Sequence, residues 1–182
     1  MPHPRKTPRR FAITAAAGAV LAACAPATAA VSPQDAKALN DALDDEYLAE
    51  ATYQAVLDKY PGARPFINII EAERRHAERA KAEMDRLGIN YEAENRHLGK
   101  IKAPASLLEA CEQGVAAEIA NIALYDRLLP TITDNQVRET LTALQWASRE
   151  RHLPAFQRCV ARGGEMGPGQ GQGRGRGRRS GT

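Results

Sequence analysis

Residues 71–80 read EAERRHAERA, with a carboxylate and an imidazole, Glu73 and His76, three positions apart. Most of this charge belongs to a solvated helix face, where Glu71 meets Arg75 and Arg74 meets Glu78 at a spacing worth about 0.2–0.5 kcal/mol per pair. Glu73 and His76 fall elsewhere. They continue the apolar series Phe66, Ile69, Ile70, Ala77, Ala80, Met84, Leu87, and so sit on the stripe that faces a core. Three other segments do the same. Glu46 and Glu50 lie in the series Leu39, Leu43, Tyr53, Val56, Leu57. Glu118 lies in Cys111, Val115, Ile122, Tyr125, Leu129, and His152 in Val137, Leu141, Leu144, Ser148, Ala155, Cys159. One inward glutamate is ordinarily a rim residue and one inward histidine a hydrogen-bonded core residue. Four segments that each turn an ionisable group inward at comparable depth need compensation, because unpaired buried charge costs several kcal/mol. The inward set is mostly acidic, so ion pairing among its members cannot supply this. A multivalent cation can, and glutamate with imidazole suits iron, manganese or zinc.

The elements that must hold these residues are four long helices. Ser32-Pro33 opens the first and Pro61-Gly62 closes it; Pro65 opens the second and Gly88 closes it. Ser106 with Glu109 forms a capping box for the third, stopped by Pro130, and Thr133 with Gln136 one for the fourth, which runs to Gly163. Alternating strand patterns are almost absent, so the expected class is all-α, a four-helix bundle. The segment from Gly88 to Pro104 is long enough, at about 3.3 Å per residue, to carry the chain from one end of a bundle to the other. His97 in this segment has no partner at ligand spacing and is expected to be an ordinary loop histidine.

These residues resemble the ferritin-like carboxylate-bridged di-iron proteins, in which two helices each give a Glu and two each give a Glu-x-x-His pair. Glu46 and Glu118 match the single glutamates and Glu73-Arg74-Arg75-His76 matches one pair. The halves also echo each other, with Tyr53 seven residues after Glu46 and Tyr125 seven after Glu118. The stretches DEYLAEATY, PFINIIEAERRHAE, AAEIANIALYDRLL and ASRERHLPAF are similar to an exported ferritin-like family of bacteria and archaea of unknown function. The resemblance implies a ferritin-like bundle with a long crossover between helices 2 and 3. It fails on the fourth helix, where Arg149 stands three residues before His152 in place of a carboxylate. Glu150 is about 200° from His152 on a regular helix. Pro154 cannot bond the Glu150 carbonyl and is expected to bend or loosen the helix. Glu50, one turn from Glu46, is the substitute donor. The expected ligand set is therefore Glu46, Glu73, His76, Glu118 and His152, with Glu50 as an additional donor and Tyr53, Tyr125 and Arg149 around them; a single metal, an unsymmetrical pair and a symmetric di-iron centre all remain open.

The ends read differently. Arg5, Lys6, Arg9 and Arg10 precede an apolar run from Phe11 to Cys24 that is too short to span a bilayer, an export-signal pattern; Arg9-Arg10 also resembles a twin-arginine signal. Leu21-Ala22-Ala23-Cys24 resembles a lipobox, with Cys24 lipidated and anchored to the membrane, while Ala27-Thr28-Ala29 offers ordinary cleavage. Residues 1–30 are thus read as an export signal, 31–162 as the bundle, and 163–182, nearly all Gly, Arg, Gln and Ser, as an unstructured tail. Residues 31–162 hold 17 Lys and Arg against 21 Asp and Glu, a net −4, so the clustered basic face of a nucleic-acid binder is not expected. Cys111 lies seven residues before Glu118 and Cys159 seven after His152, so antiparallel helices with level ligands would bring the two cysteines level. In an oxidising compartment two readings stay open, a disulfide tying the helix ends together or a pair of reduced core thiols. The leading expectation is an exported periplasmic or envelope metalloprotein with oxidase-like or peroxidase-like activity. The alternative is a non-catalytic envelope bundle, with a structural metal or a polar core, that binds a second copy or another protein.

Overall fold

The computed structural model describes residues 31–165; the export-signal reading, Cys24 and the tail from Met166 onward lie outside the described residues. These residues are all-helical, with no strand among them: α1 (Pro33–Lys59), α2 (Phe66–Leu87), α3 (Leu107–Leu128), α4 (Asn135–Ala147) and α5 (Leu153–Ala161). A short 3₁₀ turn, Leu129–Thr131, follows α3. A π-helical turn, Ser148–His152, joins α4 to α5, so the last two helices act as a single fourth rod.

Local chemistry sets the ends. The Ser32 hydroxyl accepts from the amides of Gln34 and Asp35 with Pro33 at the first position of α1, and Ser106 accepts from Glu109 at the start of α3. Gly88 ends α2 at φ 69°, a left-handed conformation that costs glycine nothing. The cap of α4 differs from expectation. Asp134 accepts from the amides of Gln136 and Val137, while the Thr133 hydroxyl donates to Asp35 on α1. Asp35 also accepts from the amides of Thr133 and Asp134. Thr133 therefore ties the loop to α1 and leaves its neighbour to cap the helix.

Packing separates into two apolar clusters. One joins Leu39, Leu43, Ala80, Met84, Tyr125, Val137, Leu141 and Leu144; the other joins Tyr53, Val56, Phe66, Ile70, Ala110, Cys111, Phe156 and Cys159. Following each helix through these clusters gives its direction. α2 begins in the second cluster and ends in the first, whereas α3 begins in the second and ends in the first, so the two run the same way. The segment between them must return along the bundle, as its length allows. It does so against α1: the Tyr47 hydroxyl donates to the carbonyls of Glu92 and Ala93, Asn95 donates to the Tyr47 carbonyl, and the Tyr60 hydroxyl donates to the Pro104 and Ala105 carbonyls. His97 pairs with Asp44 at 2.7 Å on this outer layer.

At the second cluster α3 and α5 approach closely. Gly114 is the contact point, since a Cβ there would lie 2.5 Å from the Phe156 ring. Cys111 and Cys159, with Cα atoms 5.9 Å apart, are joined by a disulfide.

Candidate metal centre

Between the two apolar clusters, at mid-bundle, lies a group of buried ionisable residues: Glu46 from α1, Glu73 and His76 from α2, Glu118 from α3 and His152 from the π turn, none more than 7% exposed. They form two triads that share one member. Glu46, Glu73 and His76 make one; Glu73, Glu118 and His152 make the other. In each triad one ligand atom per residue lies within 4.8 Å of the others. Glu73 spans both. Its Oε2 is 3.0 Å from His76 Nδ1 and its Oε1 is 3.1 Å from His152 Nδ1. The outer carboxylates complete the pattern, with Glu46 Oε2 at 3.3 Å from His76 Nδ1 and Glu118 Oε1 at 3.6 Å from His152 Nδ1. The two imidazoles lie nearly parallel, 5.5 Å between centroids.

The tyrosines cross between halves. Tyr53 on α1 donates to Glu118 on α3 at 2.7 Å, and Tyr125 on α3 donates to Glu46 on α1 at 2.7 Å. Each hydroxyl orients a carboxylate of the other helix pair. Such outer hydrogen bonds hold ligands in place at metal sites.

The electrostatics follow from burying three carboxylates beside two imidazoles. Burial would raise Glu73, but the adjoining imidazoles of His152 and His76 outweigh it and hold the carboxyl down at about 2. Glu46 goes the other way, pushed up to about 8 by burial and by the Glu73 charge. Burial also raises Glu118. For the imidazoles burial opposes protonation, yet the adjoining carboxylates prevail and lift His76 to about 9 and His152 to about 10. Protons thus occupy the positions where cations are favoured.

The residues present fit a metal ion. His152 Nδ1 is fully buried near two carboxylate oxygens, and it makes no hydrogen bond. An orphaned buried nitrogen costs about 1–3 kcal/mol, a cost that an ion between it and the carboxylates would remove. Glutamate oxygens with imidazole nitrogens are a donor set for iron, manganese or zinc.

Two sequence-derived members do not join the centre. Glu50 lies on the same helical face as Glu46, but both its oxygens are engaged, one by Arg74 Nε and the other by Asn95 Nδ2, each at 2.8 Å. Asn95 belongs to the crossover, whose path spacing along α1 does not reveal. Arg149 is half exposed and pairs with Asp126 at 3.2 Å. The reason is the π turn: the wider turn puts Ser148, not Arg149, one turn before His152 on the inward face, and Ser148 is buried. Pro154, which lacks the amide to continue the α ladder, follows directly. Ser148 lines a cavity of about 200 Å³ with Glu73, Glu118 and Asn121. Helical spacing places Ser148 on the inward stripe but gives it no role in the site. Asn121, whose Nδ2 donates to Asp45 while its buried Oδ1 has no partner, carries no signal in the ligand spacing.

Fold and site together define an all-helical bundle with a buried carboxylate–histidine centre that could hold a metal ion. The fold is similar to the crystal structure of hypothetical protein MJ0754 from Methanococcus jannaschii DSM 2661, with a TM-score of 0.66 and 19% identity over 75% of this chain and 85% of that one. At that identity the likeness concerns the fold alone. No protein-family model and no curated protein matches the chain.

Proposed function

We propose that the chain is a ferritin-like metalloprotein that works outside the cytoplasm and carries iron or manganese in its central triads, where the ion reacts with dioxygen or peroxide. The observation that carries this reading is the sharing of Glu73 between two histidine-containing triads, an arrangement suited to two adjacent cations. Glu46 with His76 and Glu118 with His152 would each hold an ion, with Glu73 available to both. A redox-active ion held there would supply electrons to the bound oxidant. The protein's own residues fix the donors, exclude bulk water and, through Tyr53 and Tyr125, keep the outer carboxylates oriented. The Cys111–Cys159 disulfide supports an oxidising compartment.

A cation facing the centre, as Arg149 would on a regular helix, would weaken binding of a second metal and favour the alternative of a structural metal or a polar core. With Arg149 turned toward Asp126, that support is gone. The deciding experiment is elemental analysis of protein produced through its native export route, beside a Glu73→Ala, His76→Ala double variant. Iron or manganese bound stoichiometrically by the parent and lost from the variant is the expected result, and justifies dioxygen and peroxide assays. An absence of metal from the parent refutes the proposal.

A further inference from the structure

A groove of about 660 Å³ runs between α2 and the α4–α5 rod, and the rings of His76 and His152 are part of its lining. It therefore reaches the centre from the imidazole side, whereas the Ser148 cavity reaches it from the carboxylate side. The rest of the lining has two characters. Pro65, Ile69, Ala72, Ala143 and Ala155 make apolar walls, and three guanidiniums, Arg75, Arg79 and Arg151, add positive charge. None of these three arginines forms an ion pair among the described residues, although Arg74 on the same helix is paired with both Glu50 and Glu71. Arg151 instead lies over the Trp146 ring, 5.1 Å from its centroid, and Trp146 is 52% exposed at the groove. Three unpaired like charges around one groove, on a domain that is net acidic, repel one another unless an anion joins them. A volume of this size with apolar walls and few convergent charges is typical of a small-molecule site.

We infer that this groove binds a small organic anion, a carboxylate with an apolar body, whose charged end meets Arg75, Arg79 and Arg151 while its body packs on the alanine-lined walls and Trp146. Guanidiniums recognise carboxylates by paired charge-assisted hydrogen bonds, and the tryptophan face accepts a planar apolar group. That such an anion is the substrate presented to the metal centre rests on the function proposed above. The binding itself does not.

The chain contains one tryptophan, so its fluorescence reports directly on this groove. Benzoate, its neutral counterpart benzamide, and inorganic phosphate are titrated into the full chain, metal-loaded and chelated, with metal content measured on each sample. Benzoate should change Trp146 emission saturably, more tightly than either phosphate or benzamide. An Arg75→Gln, Arg79→Gln variant and an Arg151→Gln variant should each bind benzoate about tenfold more weakly or worse, with metal content unchanged. These side chains are at the surface, so folding is preserved, and circular dichroism checks it. Equal binding of benzoate and benzamide, phosphate binding as tight as benzoate, or undiminished benzoate binding by the arginine variants would each overturn the inference. Benzoate binding by a protein that takes up no metal leaves the anion site standing and removes the metal reading. Metal uptake without benzoate binding does the reverse.

Discussion

Replacing Glu73 by glutamine removes one negative charge from the only residue common to both triads, with little change in shape. Glu73 is 3% exposed, with one oxygen 3.0 Å from His76 and the other 3.1 Å from His152. At an effective dielectric of about 20, each such contact is worth about 5 kcal/mol before desolvation is counted. Breaking a buried pair typically costs about 3–5 kcal/mol, because the remaining charge stays buried without its partner. A domain stable by about 5–15 kcal/mol survives that loss, with a melting midpoint lowered by roughly 10 °C in the metal-free state. Metal binding should fail more completely, since both triads lose a donor at once. The comparison variants make the result interpretable. Glu50→Gln, one turn from Glu46 and engaged by Arg74 and Asn95, should keep its full metal content. His76→Ala should damage only the triad with Glu46, and His152→Ala only the triad with Glu118. The assay is elemental analysis of each purified variant, with circular dichroism to confirm folding. A Glu73→Gln protein that retains all its metal, or a Glu50→Gln protein that loses it, refutes the reasoning.

Metal-free protein should lose stability as pH rises. His76 and His152 titrate above their ordinary 6.5, at about 9 and about 10, so their stabilisation is complete below pH 6.5 and fades through those values, and Glu46, raised to about 8, adds a loss in the same direction. Thermal melts in chelator across this range test it; a melting midpoint that rises with pH contradicts it. Glu73, held at about 2, contributes above its ordinary 4.5 and is lost only as pH falls through about 2. Metal uptake must displace the imidazole protons, so apparent affinity should rise with pH and calorimetry in buffers of different ionisation enthalpy should record proton release. Replacing Cys111 and Cys159 by serine opens a loop closed over 48 residues and should destabilise the domain by about 4 kcal/mol in urea unfolding. Tyr53→Phe and Tyr125→Phe should each lower metal affinity about tenfold or more through a mis-set Glu118 or Glu46, whereas unchanged affinity would make the tyrosines mere core.

Helix number and the inward placement of Glu46, Glu73, His76, Glu118 and His152 were legible because helical period and capping chemistry are local. The departures arise where something non-local intervenes. Glu50 lies on the right face of α1, but its fate depends on Asn95, 45 residues away on a crossover without regular period. Thr133 has the sequence of a cap, but buried Asp35, 98 residues distant, takes its hydroxyl. Arg149 occupies the expected ligand position only if the helix keeps 3.6 residues per turn, and the π turn does not. Pro154 signalled a disturbance there without giving its form. The arginine groove was hidden for another reason: Arg75 and Arg79 read as solvated charge until α4 and α5 are laid beside them.

The exchanged tyrosine bonds have an evolutionary corollary. Each helix hairpin finishes the other's share of the centre, as two arms do in a swapped homodimer. Were the hairpins separate identical chains, the extra residue of the π turn would occur in both or in neither, and the two triads would be equivalent. Joined on one chain, they are free to diverge: one hairpin keeps Glu-x-x-His, the other presents Ser148 four residues before His152. Each triad still counts two carboxylates and one imidazole, but the shared Glu73 comes from one hairpin alone, so ions in the two triads would occupy seats built differently, an arrangement that strict twofold symmetry forbids.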